Sequence, residues 1–126
     1  MSEEKKKILI VEDDRFLSEM YSTKLTESGF EVEVAYDGNE GLRLIKELKP
    51  DLVLLDIVLP KMDGFEILER IQKDEASKNI PVIALTNLGQ KEEVEKGIRL
   101  GASDYAIKAH FTPTEVVAKV KKILKI

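Results

Sequence analysis

The chain has no cysteine and one histidine in 126 residues. That excludes a disulfide framework, thiol catalysis and cysteine-built zinc sites. It also leaves too few imidazoles for a polyhistidine metal site or an internal histidine relay. No apolar stretch is long enough to cross a membrane. Met1 to Lys7 carries charges of both signs, and only Ile8–Val11 are apolar before Glu12, too short a run for a signal-peptide core. A cytoplasmic chain with no membrane partner is expected. There is no Pro/Gly/Ser linker and no low-complexity tract, so one domain over residues 1–126 is expected. Positive charge is not in excess either: 20 Lys and Arg face 24 Asp and Glu, for a net −4. On that balance, direct contact with nucleic acid is not expected. The last helical pattern runs to Ile126, so no output domain is expected after it.

Three short runs are apolar at every residue: Ile8–Val11, Leu52–Leu55 and Val82–Leu85. Strands of that kind need cover on both faces, as in a parallel sheet. Glu31–Tyr36 alternates polar and apolar, and Asp104–Lys108 is mixed, which suits edge strands. Helical stripes lie between them: Phe16, Leu17, Met20, Tyr21 and Leu25; Leu42, Ile45 and Leu48; Phe65, Ile67, Leu68 and Ile71; Val94, Ile98 and Leu100; and Val116, Val117, Val120, Ile123 and Leu124. Gly29 and Gly101 each close a helix before a strand. Thr112-Pro113-Thr114-Glu115 is a capping box, and Asp37-Gly38-Asn39-Glu40 offers a similar cap. The rhythm is βα, five times over. With right-handed crossovers and the amphipathic strands at the edges, it predicts an α/β fold, a flavodoxin-like (βα)5 doubly wound parallel sheet with strand order 2-1-3-4-5. Ligand sites in such sheets lie beyond the carboxyl ends of the strands, at the switch point between strands 1 and 3.

Those ends carry chemistry. Strand 1 runs into Glu12-Asp13-Asp14, strand 3 ends at Asp56, strand 4 at Thr86 and strand 5 at Lys108. Each residue alone has an ordinary structural reading: Asp14 as a helix cap, Thr86 as a loop hydroxyl, Lys108 as a surface charge. Together they place carboxylates, a hydroxyl and an ammonium on one rim. Crowded carboxylates with no nitrogen or sulfur ligand suit Mg²⁺. The Lys and the Thr suit the oxygens of an anion. These are the parts for phosphoryl transfer, with Asp56 able to form an aspartyl phosphate.

Four motifs carry a family likeness: Ile8–Asp14, Pro50–Asp56, Leu59-Pro60-Lys61-Met62-Asp63-Gly64, and Gly101–Lys108. In combination the chain, from about Lys7 to about Leu124, resembles the receiver domain of two-component response regulators, in particular the single-domain chemotaxis type. The resemblance implies that Asp56 is the phosphoacceptor. It implies that Glu12, Asp13, Asp56 and the backbone carbonyl of Val58 hold Mg²⁺, that Thr86 binds a phosphoryl oxygen, and that Lys108 pairs with Asp56 or its phosphoryl group. Thr86 and Tyr105 would form the switch, acting on the face of helix 4, strand 5 and helix 5. Such a module catalyses its own Mg²⁺-dependent phosphorylation and dephosphorylation without being an ordinary enzyme. The implied partners are a sensor histidine kinase or phosphotransfer protein and a downstream protein, with the chain a monomer or weak homodimer.

Three positions depart from the family's usual pattern. Ala109 stands where Pro usually follows the Lys on a cis bond, and a non-proline cis bond costs about 2.5–4 kcal/mol. The segment Ala109–Pro113 is about one residue longer than the common form. Asn87 replaces a small residue and, with Val58 and Leu88, is expected to tune phosphoryl lifetime. A rebuilt loop after strand 5 is expected, with His110 an uninvolved loop residue. Other classes on this fold fare worse. A flavin phosphate would be repelled by Glu12-Asp13-Asp14, and a dehalogenase-type phosphatase needs an Asp where Val58 stands. A receiver cut from a longer regulator and a partner-binding receiver without chemistry remain as alternatives.

Overall fold

Successive side chains of a strand point to opposite faces, so an all-apolar strand can feed two cores at once. The computed structural model describes residues 5–87, 91–108 and 112–126. Five strands, β1 (Lys7–Val11), β2 (Glu31–Ala35), β3 (Leu52–Asp56), β4 (Val82–Thr86) and β5 (Asp104–Ile107), form one parallel sheet in the order β2-β1-β3-β4-β5. Helices α1 (Arg15–Glu27), α2 (Gly38–Leu48), α3 (Gly64–Lys73), α4 (Lys91–Arg99) and α5 (Pro113–Leu124) alternate with them. This is the expected doubly wound (βα)5 fold. Ile8, Ile10, Leu52, Leu54, Ile83 and Leu85 face α1 and α5, meeting Tyr21, Leu25, Val116 and Val120. Leu9, Val11, Val53, Leu55, Val82 and Ala84 face the other way, onto Ile45 of α2 and Ile67, Leu68 and Ile71 of α3. β1, β3 and β4 are buried almost throughout, and β2 has the alternating exposure of an edge strand.

Two apolar stripes differ from expectation. Phe16 is 70% exposed. It stands nine residues before the buried Leu25, and at about 3.6 residues per turn that is two and a half turns, which puts the two on opposite sides of α1. The buried line of α1 is Ser18, Tyr21 and Leu25 instead. On α4, Ile98 is 46% exposed, and the residue that faces the sheet is Gly97. Ala109, His110 and Leu88, named above for the loop after strand 5 and for phosphoryl lifetime, lie outside the described residues.

Four helices begin at the same rim, each with a side chain that accepts a hydrogen bond from a first-turn N–H: Asp14, Asp37, Asp63 and Thr112. At Thr112 the cap half of the box read from the sequence forms, the hydroxyl accepting from the Glu115 N–H, while the Glu115 carboxylate accepts from the Thr112 hydroxyl; Pro113 sits in the first turn. Gly29 and Gly101 follow α1 and α4 with φ of +97° and +115°, the left-handed geometry of a helix stop. The caps fix where the chain turns from strand to helix, and so fix the rim on which the chemistry sits. Asp63 accepts from the Glu66 N–H at 3.0 Å. Asp63→Ala should therefore cost about 1 kcal/mol in urea unfolding, while Asp63→Asn, an equally good cap, should be close to neutral.

Candidate phosphoacceptor site

The sheet register brings the acids together. Val11 pairs with Leu55, so Glu12 and Asp56 each stand one residue past the same rung on adjacent strands. Lys108 follows β5, and its N–H donates to the Thr86 carbonyl at 2.7 Å. From there its side chain crosses the rim. Lys108 Nζ lies 2.7 Å from Asp56 Oδ2 and 2.6 Å from Glu12 Oε1. One ammonium thus serves two carboxylates, and all three side chains are nearly closed to solvent. The second oxygen of each acid is held by backbone: Val58 N–H donates to Asp56 Oδ1 and Asp14 N–H to Glu12 Oε2, both at 3.0 Å. Asp14 therefore acts twice. Its carboxylate caps α1 and its N–H orients Glu12. The sequence motif named the residue but not the second role.

Two buried polar atoms have no hydrogen-bond partner among the described residues, Glu12 Oε1 and Thr86 Oγ1. The Glu12 contact with Lys108 is an ion pair in charge and distance without hydrogen-bond alignment. A buried hydroxyl left unpaired costs about 1–3 kcal/mol, so Thr86 Oγ1 stands out among the described residues as a buried donor at the end of β4. Asp13 is exposed, at the mouth. One carboxylate oxygen from each of Glu12, Asp13 and Asp56 can be placed within 4.8 Å of the others. The donor set is hard oxygen throughout, which fits Mg²⁺ in preference to softer metals. The Val58 side chain is 64% exposed beside the pocket, and Tyr105 is 37% exposed, its ring 5.9 Å from Lys119 Nζ of α5. Every residue expected at the site except Tyr105 lies at this rim; Tyr105 points from β5 toward α5.

Burial pushes the Glu12 carboxyl from 4.5 up to about 7, and the neighbouring Asp56 adds to the rise against the opposing pull of Lys108. Burial alone would lower the Lys108 ammonium, but its contacts with Asp56 and Glu12 outweigh burial and raise it. Among the described residues two buried carboxylates thus share one ammonium. A carboxyl raised in the folded state binds its proton more tightly there than in the unfolded chain, so stability falls as pH rises from about 4.5 to about 7. Removing the ammonium steepens this. Lys108→Met should cost about 3–5 kcal/mol at pH 8, where the buried acids must either stay charged without their cation or take up a proton against the bulk pH. It should cost much less at pH 5, where a proton can replace the lost cation. Urea titrations of both proteins across that range check the crossover.

Comparison with known proteins agrees with this geometry. The family model described as response regulator receiver domain matches residues 8–121. A DNA-binding dual master transcriptional regulator of Synechocystis is 41% identical over 119 residues, covering 94% of this chain and 49% of that protein. The phosphate regulon transcriptional regulatory protein of Pseudomonas aeruginosa is 38% identical over 120 residues, covering 95% of this chain and 52% of that one. Among solved structures, a CheY-like response regulator receiver domain protein of Methanospirillum hungatei superposes with a TM-score of 0.89 at 33% identity, covering 97% of this chain and 95% of that one. The chain spans about half the length of the curated relatives it matches. Their names overturn the expectation that nucleic acid has no place among the partners. The net charge of 126 residues reports on those residues alone, and a DNA-reading segment elsewhere in a longer regulator leaves no trace in it.

Proposed function

This chain belongs to the response regulator receiver family of two-component signalling, and on that footing we propose that Asp56 takes a phosphoryl group from the phosphohistidine of a partner kinase or phosphotransfer protein in the cytoplasm. The observation that carries the reading is the Asp56 carboxylate itself. It is buried, set at the carboxyl end of the central strand, and held on one oxygen by Lys108 and on the other by the Val58 N–H. Holding both oxygens fixes the direction of the lone pair that attacks phosphorus, which is the positioning that phosphoryl transfer needs.

Each remaining residue has a task within that reading. Glu12, Asp13, Asp56 and the Val58 carbonyl would hold Mg²⁺, which when bound offsets the negative charge of the acids and of the phosphoryl oxygens. Lys108 passes from the Asp56 oxygen to an oxygen of the new phosphoryl group and keeps a charge-assisted bond throughout. The Thr86 hydroxyl, unpaired among the described residues, donates to another phosphoryl oxygen, and its movement gives Tyr105 room to turn inward. That changes the face made by α4, β5 and α5, which signals to a protein partner. In a longer regulator resembling the transcriptional relatives, the same face would act on the adjoining segment. Hydrolysis of the aspartyl phosphate at the same site resets the module. Asn87 and Val58, both exposed beside the pocket, set the access of water.

Incubation with Mg²⁺ and acetyl phosphate, followed by intact-protein mass measurement, tests this. One added phosphoryl group is expected on the wild type, with none on Asp56→Asn and none in the presence of chelator. Failure of the wild type to gain mass, or equal gain by Asp56→Asn, overturns the reading.

A further inference from the structure

The loop between β3 and α3, residues 57–63, has no regular structure, yet it carries the Val58 N–H that holds Asp56. Within itself it is tied by Gly64 N–H to the Ile57 carbonyl at 2.9 Å and by Met62 N–H to the Pro60 carbonyl at 2.8 Å. Its outer part leans on a different element, the N-terminus of α2. Gly38 N–H points at the Pro60 carbonyl, 3.4 Å away. Asp37, the cap of α2, lies 3.7 Å from Lys61 Nζ. The approach of the backbones is closer than a side chain permits. A Cβ built on Gly38 would lie 2.0 Å from the Met62 carbonyl oxygen and 2.8 Å from Met62 C and Cβ. Between these contacts Lys61 is held at φ +69°, a left-handed conformation in a residue that is not glycine. The atoms in the way are the Met62 backbone and its Cβ, whose places the backbone sets, so no rotamer change clears them. Pro60, with its fixed φ, stands two residues after Val58.

From this geometry we infer that Gly38 is a positioning residue for the phosphoacceptor loop: its missing side chain lets α2 seat the Pro60–Met62 segment and thereby sets where Val58 meets Asp56. The inference rests on the reading of Asp56 and Val58 given above and extends it to a helix that contributes no group to the pocket. A methyl group at residue 38 lifts the segment, and Val58 moves with it.

Two variants and one native-protein measurement test this. Gly38→Ala is compared with Gly101→Ala. The latter is strained by φ +115° and crowded by Gln72 at 2.5 Å, but it lies at the opposite end of the sheet, before β5. Both should lower the unfolding temperature. Mg²⁺ binding, followed calorimetrically below both transitions, should weaken about tenfold in Gly38→Ala, the scale of losing an outer support of a metal ligand. It should stay within about twofold of wild type in Gly101→Ala. Should Gly38→Ala not fold, the wild type still decides by ¹⁵N–¹H NMR during Mg²⁺ titration: the Gly38 amide should shift together with that of Val58, and the Gly101 amide should stay in place. Equal Mg²⁺ affinity in the two variants, or a Gly38 amide indifferent to Mg²⁺, overturns the inference and leaves the site reading standing. A wild type that neither binds Mg²⁺ nor takes a phosphoryl group overturns both.

Discussion

Two buried carboxylates on neighbouring strands share one ammonium, and the rest of the rim is arranged around that imbalance. Glu12 and Asp56 are placed side by side by the parallel register of β1 and β3, and Lys108 reaches both from beyond β5. Burial drives Glu12 toward its neutral form and the ammonium opposes that. With two buried carboxylates on one ammonium, the described pocket has room for more positive charge. A divalent cation would supply it, and in the proposed function a phosphoryl group on Asp56 would give Lys108 and Thr86 oxygens to bind. On that reading structure and reactivity come from the same surplus of charge.

The sheet makes such a site affordable because its cost falls on one rim only. Behind the acids, β1, β3 and β4 feed two apolar layers with alternate residues. Apolar burial at about 25 cal/mol per Å² accumulates there without polar interruption. At the rim itself, four helix caps anchor the turns, and backbone N–H groups of Asp14 and Val58 aim the acids. The loop after β3 gains its last support from α2, so the site depends on a helix that lends it no side chain.

Much of this is legible in the residues. Ile8–Val11, Leu52–Leu55 and Val82–Leu85 declare buried parallel strands because every position is apolar. Glu31–Tyr36 declares an edge by alternating, and Thr112–Glu115 declares a helix start. The site residues are legible for a related reason: strand ends in a parallel sheet all reach the same rim, so four residues far apart in sequence can be set together by topology alone. What fails to show depends on angles and on contacts between elements. Phe16 belongs to an apolar stripe by spacing, but its direction follows from which side of α1 meets the sheet. The rise in the Glu12 carboxyl needs burial and a neighbouring charge, and neither appears in a motif. The closeness of Gly38 to Met62 joins two loops whose sequences read only as a cap and a turn. Net charge misled about nucleic acid because it averages over these 126 residues alone.

The pocket depends most on the charge of Glu12. The most direct measurement is a ¹³C NMR titration of the Glu12 side-chain carboxyl in metal-free protein from pH 4 to pH 9, assigned with Glu12→Gln. A midpoint near 7, moving higher still in Lys108→Met, is the predicted result. A midpoint at the ordinary glutamate value near 4.3, unmoved by loss of Lys108, would contradict a pocket organised around one shared ammonium.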